Sequence, residues 1–167
     1  MSIELALSEL KTVLEPYLRG MIGRDLDFEE LPTRRKTPNI FVNDLRPPAI
    51  NETEDEYERD VYPFVLLTAP TGTASMGEGE SGENEIPVVA VIGVCDPVED
   101  KKGIAGVHNI IDRIIAAVQE NPHTTHCTLD RDLPWMADDD ESVYPYYYGS
   151  VTITVRDRLT TPAEYDI

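Results

Sequence analysis

The sequence contains little cysteine and no hydrophobic run long enough to span a membrane. Its two cysteines, Cys95 and Cys127, lie in apolar or strand-like stretches, so we expect buried free thiols in a reducing compartment. The longest apolar run, PVVAVIGV, has the length of a strand. The N-terminal stretch MSIELALSEL lacks the basic start of a secretory signal. We therefore expect a protein made in a cytoplasm, with no membrane as partner.

Basic residues are also scarce. The chain has 14 lysines and arginines against 32 aspartates and glutamates, which gives a net charge of −18. Binding to nucleic acid or to an anionic membrane depends on basic residues, so this balance argues against both. With 167 residues and 41% hydrophobic residues, the chain predicts a single domain over 1–167 with a genuine core.

The few basic residues are unevenly distributed. From Arg19 to Arg46 there are six basic residues against five acidic ones, and from Pro47 to Asp100 one against thirteen. Such asymmetry allows copies of one chain to meet head to tail, in a contact that closes into a ring or continues as a filament. The alternative is an acidic surface in solvent with one basic loop.

Two segments carry apolar residues at helical spacing, 3–18 and 104–118. We expect Pro16 to bend or end the first helix. Residues 19–60 predict a polar arm or connection, interrupted by a short strand at 39–45. Within it, residues 50–62 are too charged for a core strand and form either an exposed connection or a polar helical turn.

The remaining segments predict strands. Residues 63–70 and 86–96 form an antiparallel hairpin around a mobile tip at 71–85, which is rich in glycine and acidic residues. Residues 123–130 are strand-like and LPWMADDDESV is a loop, whereas 144–157 alternate between apolar and polar residues. The predicted fold is α+β: a mainly antiparallel sheet of four to five strands with two helices on one face and a long hairpin tip.

No motif predicts catalysis, a cofactor or a metal. The strand–loop–helix succession at 88–118 lacks the glycine spacing of a phosphate-binding loop. The cluster His123, His126 and Cys127 has no second cluster to complete a zinc site, and on a strand His126 and Cys127 would point to opposite faces. The acidic run at 130–142 lacks the spacing of a calcium loop. We therefore expect a protein that is not an enzyme.

The tyrosines of YPYYYG favour a different role. Four aromatic rings on both faces of one strand start exceed what a core needs, and tyrosine is enriched at protein–protein contacts. Together with the charge asymmetry, this gives a set of candidate interface residues: Arg34, Arg35, Lys36, Glu78, Glu80, Glu83, Glu85, Tyr146, Tyr147 and Tyr148.

Residues from about 57 to 157 resemble the tail terminator (tail completion) proteins of long-tailed bacteriophages, the minor tail protein U-like group. The resemblance rests on the order YPFVLL, a polar tip, PVVAVIGVCD, DKKG, VHNIIDRIIAAV, ENP and YPYYYGSVTITV. It implies a structural protein that forms a homo-oligomeric ring, typically a hexamer, at the head-proximal end of the virion tail.

The same resemblance implies three contacts for such a ring: the tail tube protein, a neck or head completion protein, and DNA only as cargo passing through the lumen. Two alternatives stay open. One is a connector protein on the head side of the neck, and the other is an acidic inhibitor that mimics DNA.

Overall fold

The computed structural model describes residues 2–19, 37–75, 83–96, 103–138 and 143–157. Within these ranges there are three helices, α1 (Ile3–Leu18), α2 (Glu54–Val61) and α3 (Gly103–Glu120). Seven strands accompany them: β1 (Asn39–Val42), β2 (Phe64–Thr68), β3 (Thr73–Ser75), β4 (Glu83–Cys95), β5 (Cys127–Leu129), β6 (Trp135–Asp138) and β7 (Tyr146–Asp157). The α+β class is confirmed.

The strands form one mixed sheet. Its order is β1-β2-β4-β7-β5, with β3 paired to β4 and β6 paired to β7. Only the β1–β2 pair is parallel among the described pairs. The expected counts of four to five strands and two helices are too low. The long strands β4 and β7 each have room along one edge for two short partners, and α2 forms within the polar connection.

Helix α1 begins at its predicted residue because the Ser2 hydroxyl accepts a hydrogen bond from the Leu5 amide. The helix does not end at Pro16, since it continues to Leu18. Helix α2 settles the open question about residues 50–62: Thr53 and Glu56 form a reciprocal capping box that begins a helix in this acidic stretch.

The core lies between the sheet and the two long helices. In β7 the residues from Tyr147 to Val155 at every second position are buried, and in β4 their partners Ile86, Val88, Ala90 and Ile92 are buried too. Helices α1 and α3 cover this face with Leu7, Leu10, Leu14, Ile111 and Ile114, among others. The prediction of two helices on one face is therefore confirmed for α1 and α3. No helix in the described ranges is long and apolar enough to cross a membrane.

Two loop predictions change. The hairpin of β2 and β4 is confirmed, but pairing continues past it, because β3 bonds to the start of β4 from Thr73↔Glu85 to Ser75↔Glu83. Residues 76–82, the middle of the predicted mobile tip, lie outside the described residues. The predicted loop LPWMADDDESV contains strand β6, which pairs with β7 from Trp135↔Val151 to Asp138↔Tyr148.

Candidate interaction surface

Strand β6 exposes large apolar side chains at one edge of the sheet. Trp135 is 55% exposed and Met136 is 61% exposed. Among the ring contacts of the described chain, Trp135 has one, with His108. The two rings meet edge to face with their centroids 6.1 Å apart. Apolar side chains that stay this exposed on adjacent residues are typical of a contact surface.

The backbone of β6 has one free side. The Thr152 amide donates to the Pro134 carbonyl at 2.9 Å, so Pro134 and Thr152 form a hydrogen-bonded pair. In an antiparallel ladder, residues along a strand alternate between bonding to the partner strand and facing away from it. The amides and carbonyls of Met136 and Asp138 therefore face β7, and those of Trp135 and Ala137 face away from the sheet. Among the described strands, β6 pairs with β7 alone.

Strand β1 forms the opposite edge. The amides of Asn39 and Asn43 donate to Pro63 and Leu67 of the β2 side, each at 2.9 Å. In a parallel pair, every second residue directs its backbone amide and carbonyl toward the partner strand. Since Asn39 and Asn43 bond to the β2 side, the backbone groups of Ile40 and Val42 face outward. The strand NIFV contains neither proline nor a charged residue, the usual devices that keep an edge from pairing.

The predicted tyrosines fall on both faces of the sheet. Tyr147 belongs to the core, with 5% exposure, so it does not lie on a surface. Tyr146 and Tyr148 lie on the face opposite α1 and α3. There Tyr146 donates to the Glu58 carboxylate, and the Tyr148 and Tyr62 hydroxyls are 2.9 Å apart.

This tyrosine cluster binds α2 to the sheet. The rings of Tyr62 and Phe64 meet edge to face at 5.0 Å, and those of Tyr62 and Tyr146 lie 5.5 Å apart. The pKa of Tyr146 is raised above its ordinary value by its hydrogen bond to Glu58, so the phenol stays a neutral donor. Both tyrosines thus have partners within their own chain, which weakens the expectation that they meet a neighbour.

The charged candidates are only partly placed. Arg34, Arg35, Lys36, Glu78 and Glu80 lie outside the described residues, and for Glu83 only the backbone pairing in β4 is described.

Glu85 has a partner in its own chain. Arg156 lies next to it on β7, with Nη1 2.9 Å from the Glu85 carboxylate and Nε 3.0 Å from Asp130. Glu85 therefore takes part in an ion pair that joins strands of one sheet.

Arg46, the last residue of the basic segment, also binds acids of its own chain. Its guanidinium lies 2.7 Å from Glu52 and 2.8 Å from Asp60, and 5.0 Å from the centre of the Tyr57 ring. The Tyr57 hydroxyl donates to the Arg46 carbonyl at 2.6 Å. The charge asymmetry predicts that the basic segment contacts a neighbouring copy. Arg46 instead stabilises the loop between β1 and α2 of its own chain.

A half-buried carboxylate that the sequence analysis missed, Glu9, joins α1 to the segment before β5. Glu9 accepts hydrogen bonds from the Thr124 hydroxyl at 2.7 Å and from the Cys127 thiol at 2.8 Å. It also lies 2.7 Å from His126 Nδ1. Because His126 precedes β5, the alternation expected on a strand does not apply to it, and the His126 and Cys127 side chains both reach the Glu9 carboxylate.

The pKa values at Glu9 follow from these contacts. Burial raises the pKa of Glu9, but the hydrogen bonds from Cys127, Thr124 and His126 together lower it below its ordinary value. Burial, followed by the bond to Glu9, raises the pKa of Cys127 to about 12. Cys127 is therefore a neutral thiol donor rather than a reactive thiolate.

No group of three or more His, Cys, Asp or Glu side chains in the described ranges is arranged to hold a metal ion. Besides Glu9, sequence reasoning missed Trp135 and Met136, which it placed in a loop. Their signal was present in the sequence, as two large apolar residues inside an acidic stretch.

Comparison with known proteins gives no family. No protein-family model matches the chain, and no curated protein matches its sequence.

Proposed function

We propose that this chain is a structural virion protein, one subunit of a ring that ends a phage tail tube and joins it to the head. The observation that carries the proposal is the exposed pair Trp135 and Met136 on an edge strand. An apolar pair of this kind on a chain of net charge −18 is suited to a contact with protein rather than with nucleic acid or an anionic membrane.

The tail terminator assignment is supported by the order of sequence segments that resembles this group. In the folded chain those segments supply β2, β4, α3 and β7, which form the centre of the sheet and one of its helices. The acidic excess suits a conduit, since like charge keeps passing DNA from binding to its wall.

The first test is negative-stain electron microscopy of the concentrated protein, with and without Mg²⁺, which screens acidic surfaces. We expect uniform rings with an open centre that bind to the ends of purified tail tubes. Rings that bind a portal complex but no tube would indicate the connector on the head side of the neck. Particles that neither form rings nor bind tubes would contradict the proposal.

A charge substitution tests whether the exposed pair carries assembly. We expect Met136→Glu to abolish ring formation, because it places a charge where an apolar contact is required. Ile50→Glu is the matched control, since Ile50 is 94% exposed and the substitution adds the same charge. Sedimentation velocity distinguishes the outcomes, and equal assembly of the two variants would exclude Met136 from the contact.

A further inference from the structure

We propose that neighbouring copies of this chain join their sheets edge to edge, with β1 of one copy pairing antiparallel to β6 of the next. This inference rests on the proposed ring and names the surfaces that meet in it. Strands β1 and β6 each have outward-facing backbone groups and pair with one strand among the described strands.

The two edges have compatible directions. Strand β1 runs parallel to β2, and each of the pairs β2–β4, β4–β7 and β7–β6 is antiparallel. Within one chain β1 and β6 therefore run in opposite directions. In a ring whose symmetry axis runs along the strands, the rotation that relates neighbouring copies leaves the strand directions unchanged. Strand β1 of one copy therefore runs antiparallel to β6 of its neighbour.

The two strands also match in length and hydrogen-bond register. Each has four residues. Full overlap places Ile40 opposite Ala137 and Val42 opposite Trp135 of the next copy. These are the residues whose backbone groups face outward, so the Ile40–Ala137 pair exchanges two hydrogen bonds. At Val42 the carbonyl already accepts from the Asp44 amide at 2.9 Å and would accept a second bond in the joint.

The side chains in this register match as well. Ile40 and Val42 lie on the face that α1 and α3 cover, because their β2 partners Val65 and Leu67 are buried there. Trp135 lies on the same face, since it pairs with the buried Val151. A shift by one residue would place apolar side chains of the two copies on opposite faces.

On the other face the register places Phe41 opposite Met136, and Asn39 opposite Asp138. The first pair covers the 61%-exposed Met136 with an aromatic ring, and aromatic–apolar pairs of this kind stabilise adjacent strands. The Asn39 side-chain amide already donates to the carbonyls of Asp60 and Val61 in its own chain, so the second pair adds no bond to the joint.

Charge along the sequence favours the same direction. The basic run Arg34, Arg35 and Lys36 precedes the first residue of β1, and the acidic run Asp139, Asp140 and Glu141 follows the last residue of β6. Antiparallel pairing brings the beginning of β1 to the end of β6. The strand ends that come together are therefore those whose sequence flanks carry opposite charge.

Cysteine pairs test the register directly. Phe41 and Met136 form a non-hydrogen-bonded pair, the closer of the two kinds in an antiparallel ladder. Under oxidising conditions we expect the double variant Phe41→Cys/Met136→Cys to form a ladder of covalent oligomers. A mixture of the two single variants should form covalent dimers only, and each single variant alone should form none. Asn39→Cys/Asp138→Cys probes the same register at the next close pair.

Controls separate this result from incidental cross-linking. The unmodified chain reports the background from Cys95 and Cys127, and Phe41→Cys/Ala137→Cys places its thiols on opposite faces, so neither should give a ladder. Circular dichroism identifies any variant that fails to fold. Cross-linking of Met136→Cys alone, or no cross-linking by either folded double variant, would overturn the proposed pairing.

The outcomes also separate this inference from the proposed function. Rings in the microscope without either cross-link would overturn the pairing and leave the ring. Covalent ladders from a protein that binds no tail tube would support the pairing and contradict the terminator role.

Discussion

Gly149→Ala is expected to lower the free energy of unfolding by about 1–3 kcal/mol, the range for an overpacked core. A Cβ atom at Gly149 would lie 2.6 Å from Val107 Cγ1 and 2.9 Å from the Met136 carbonyl oxygen. The second contact is with the backbone of β6, so no side-chain rotation relieves it. Either α3 or β6 must move away from β7.

Gly106→Ala is the matched control for this substitution. Its Cβ would meet Val94 at an ordinary 3.5 Å, and in a helix interior alanine is favoured over glycine by about 0.8–1.0 kcal/mol. Urea unfolding followed by circular dichroism should therefore move in opposite directions for the two variants. Equal midpoints for Gly149→Ala and the unmodified chain would show that β6 does not pack as described. Because β6 is half of the proposed joint, we also expect Gly149→Ala to weaken ring assembly.

The second large effect is expected at Glu9. Glu9→Ala removes the acceptor shared by Thr124, His126 and Cys127. Because a hydrogen bond to a charged group contributes about 1.5–3 kcal/mol, we expect the free energy of unfolding to fall by an amount in this range. Glu15→Ala on the same helix is the control. The Glu15 side chain is 44% exposed and its ion pair with Lys11 is 4.0 Å long, so we expect a change within about 0.5 kcal/mol.

Glu9 also predicts how stability depends on pH. Its pKa is lower in the folded chain than in the unfolded chain, so its ionisation stabilises the fold above the unfolded value of about 4.3. That stabilisation is lost as the pH falls through the lower folded value. Glu9→Gln should therefore be less stable than the unmodified chain at neutral pH, and the difference should shrink below about pH 4. A difference that is constant from neutral to acidic pH would show that the carboxylate charge has no role.

The proposed joint explains why the interface candidates chosen from sequence differ from those chosen from structure. Tyrosines and charges are common at interfaces, but Tyr146, Tyr148 and Glu85 have partners within their own chain. In the described part of the chain, the groups that form the proposed joint are apolar side chains and backbone atoms of edge strands. Composition does not show which backbone amides and carbonyls lie on a sheet edge, because every residue carries backbone hydrogen-bonding groups.

Several elements were determined by the sequence alone. The apolar spacing predicts α1, which spans Ile3–Leu18, and the alternation between apolar and polar residues predicts β7 with its buried face. The hairpin of β2 and β4 followed from two apolar segments around a polar tip. These features depend on side chains close together in the chain, so their periodicity is visible without knowledge of the partner.

Other features were decided only by the tertiary structure. Strands β3 and β6 have three and four residues, too few for a periodic signal, and they exist because the long β4 and β7 offer free edges to pair with. The Glu9 contact joins residues 118 positions apart at Cys127. Its donors come together only when α1 packs beside β5, since hydrogen bonds between distant residues depend on how the elements are placed in space, whereas the periodicity of a single segment does not.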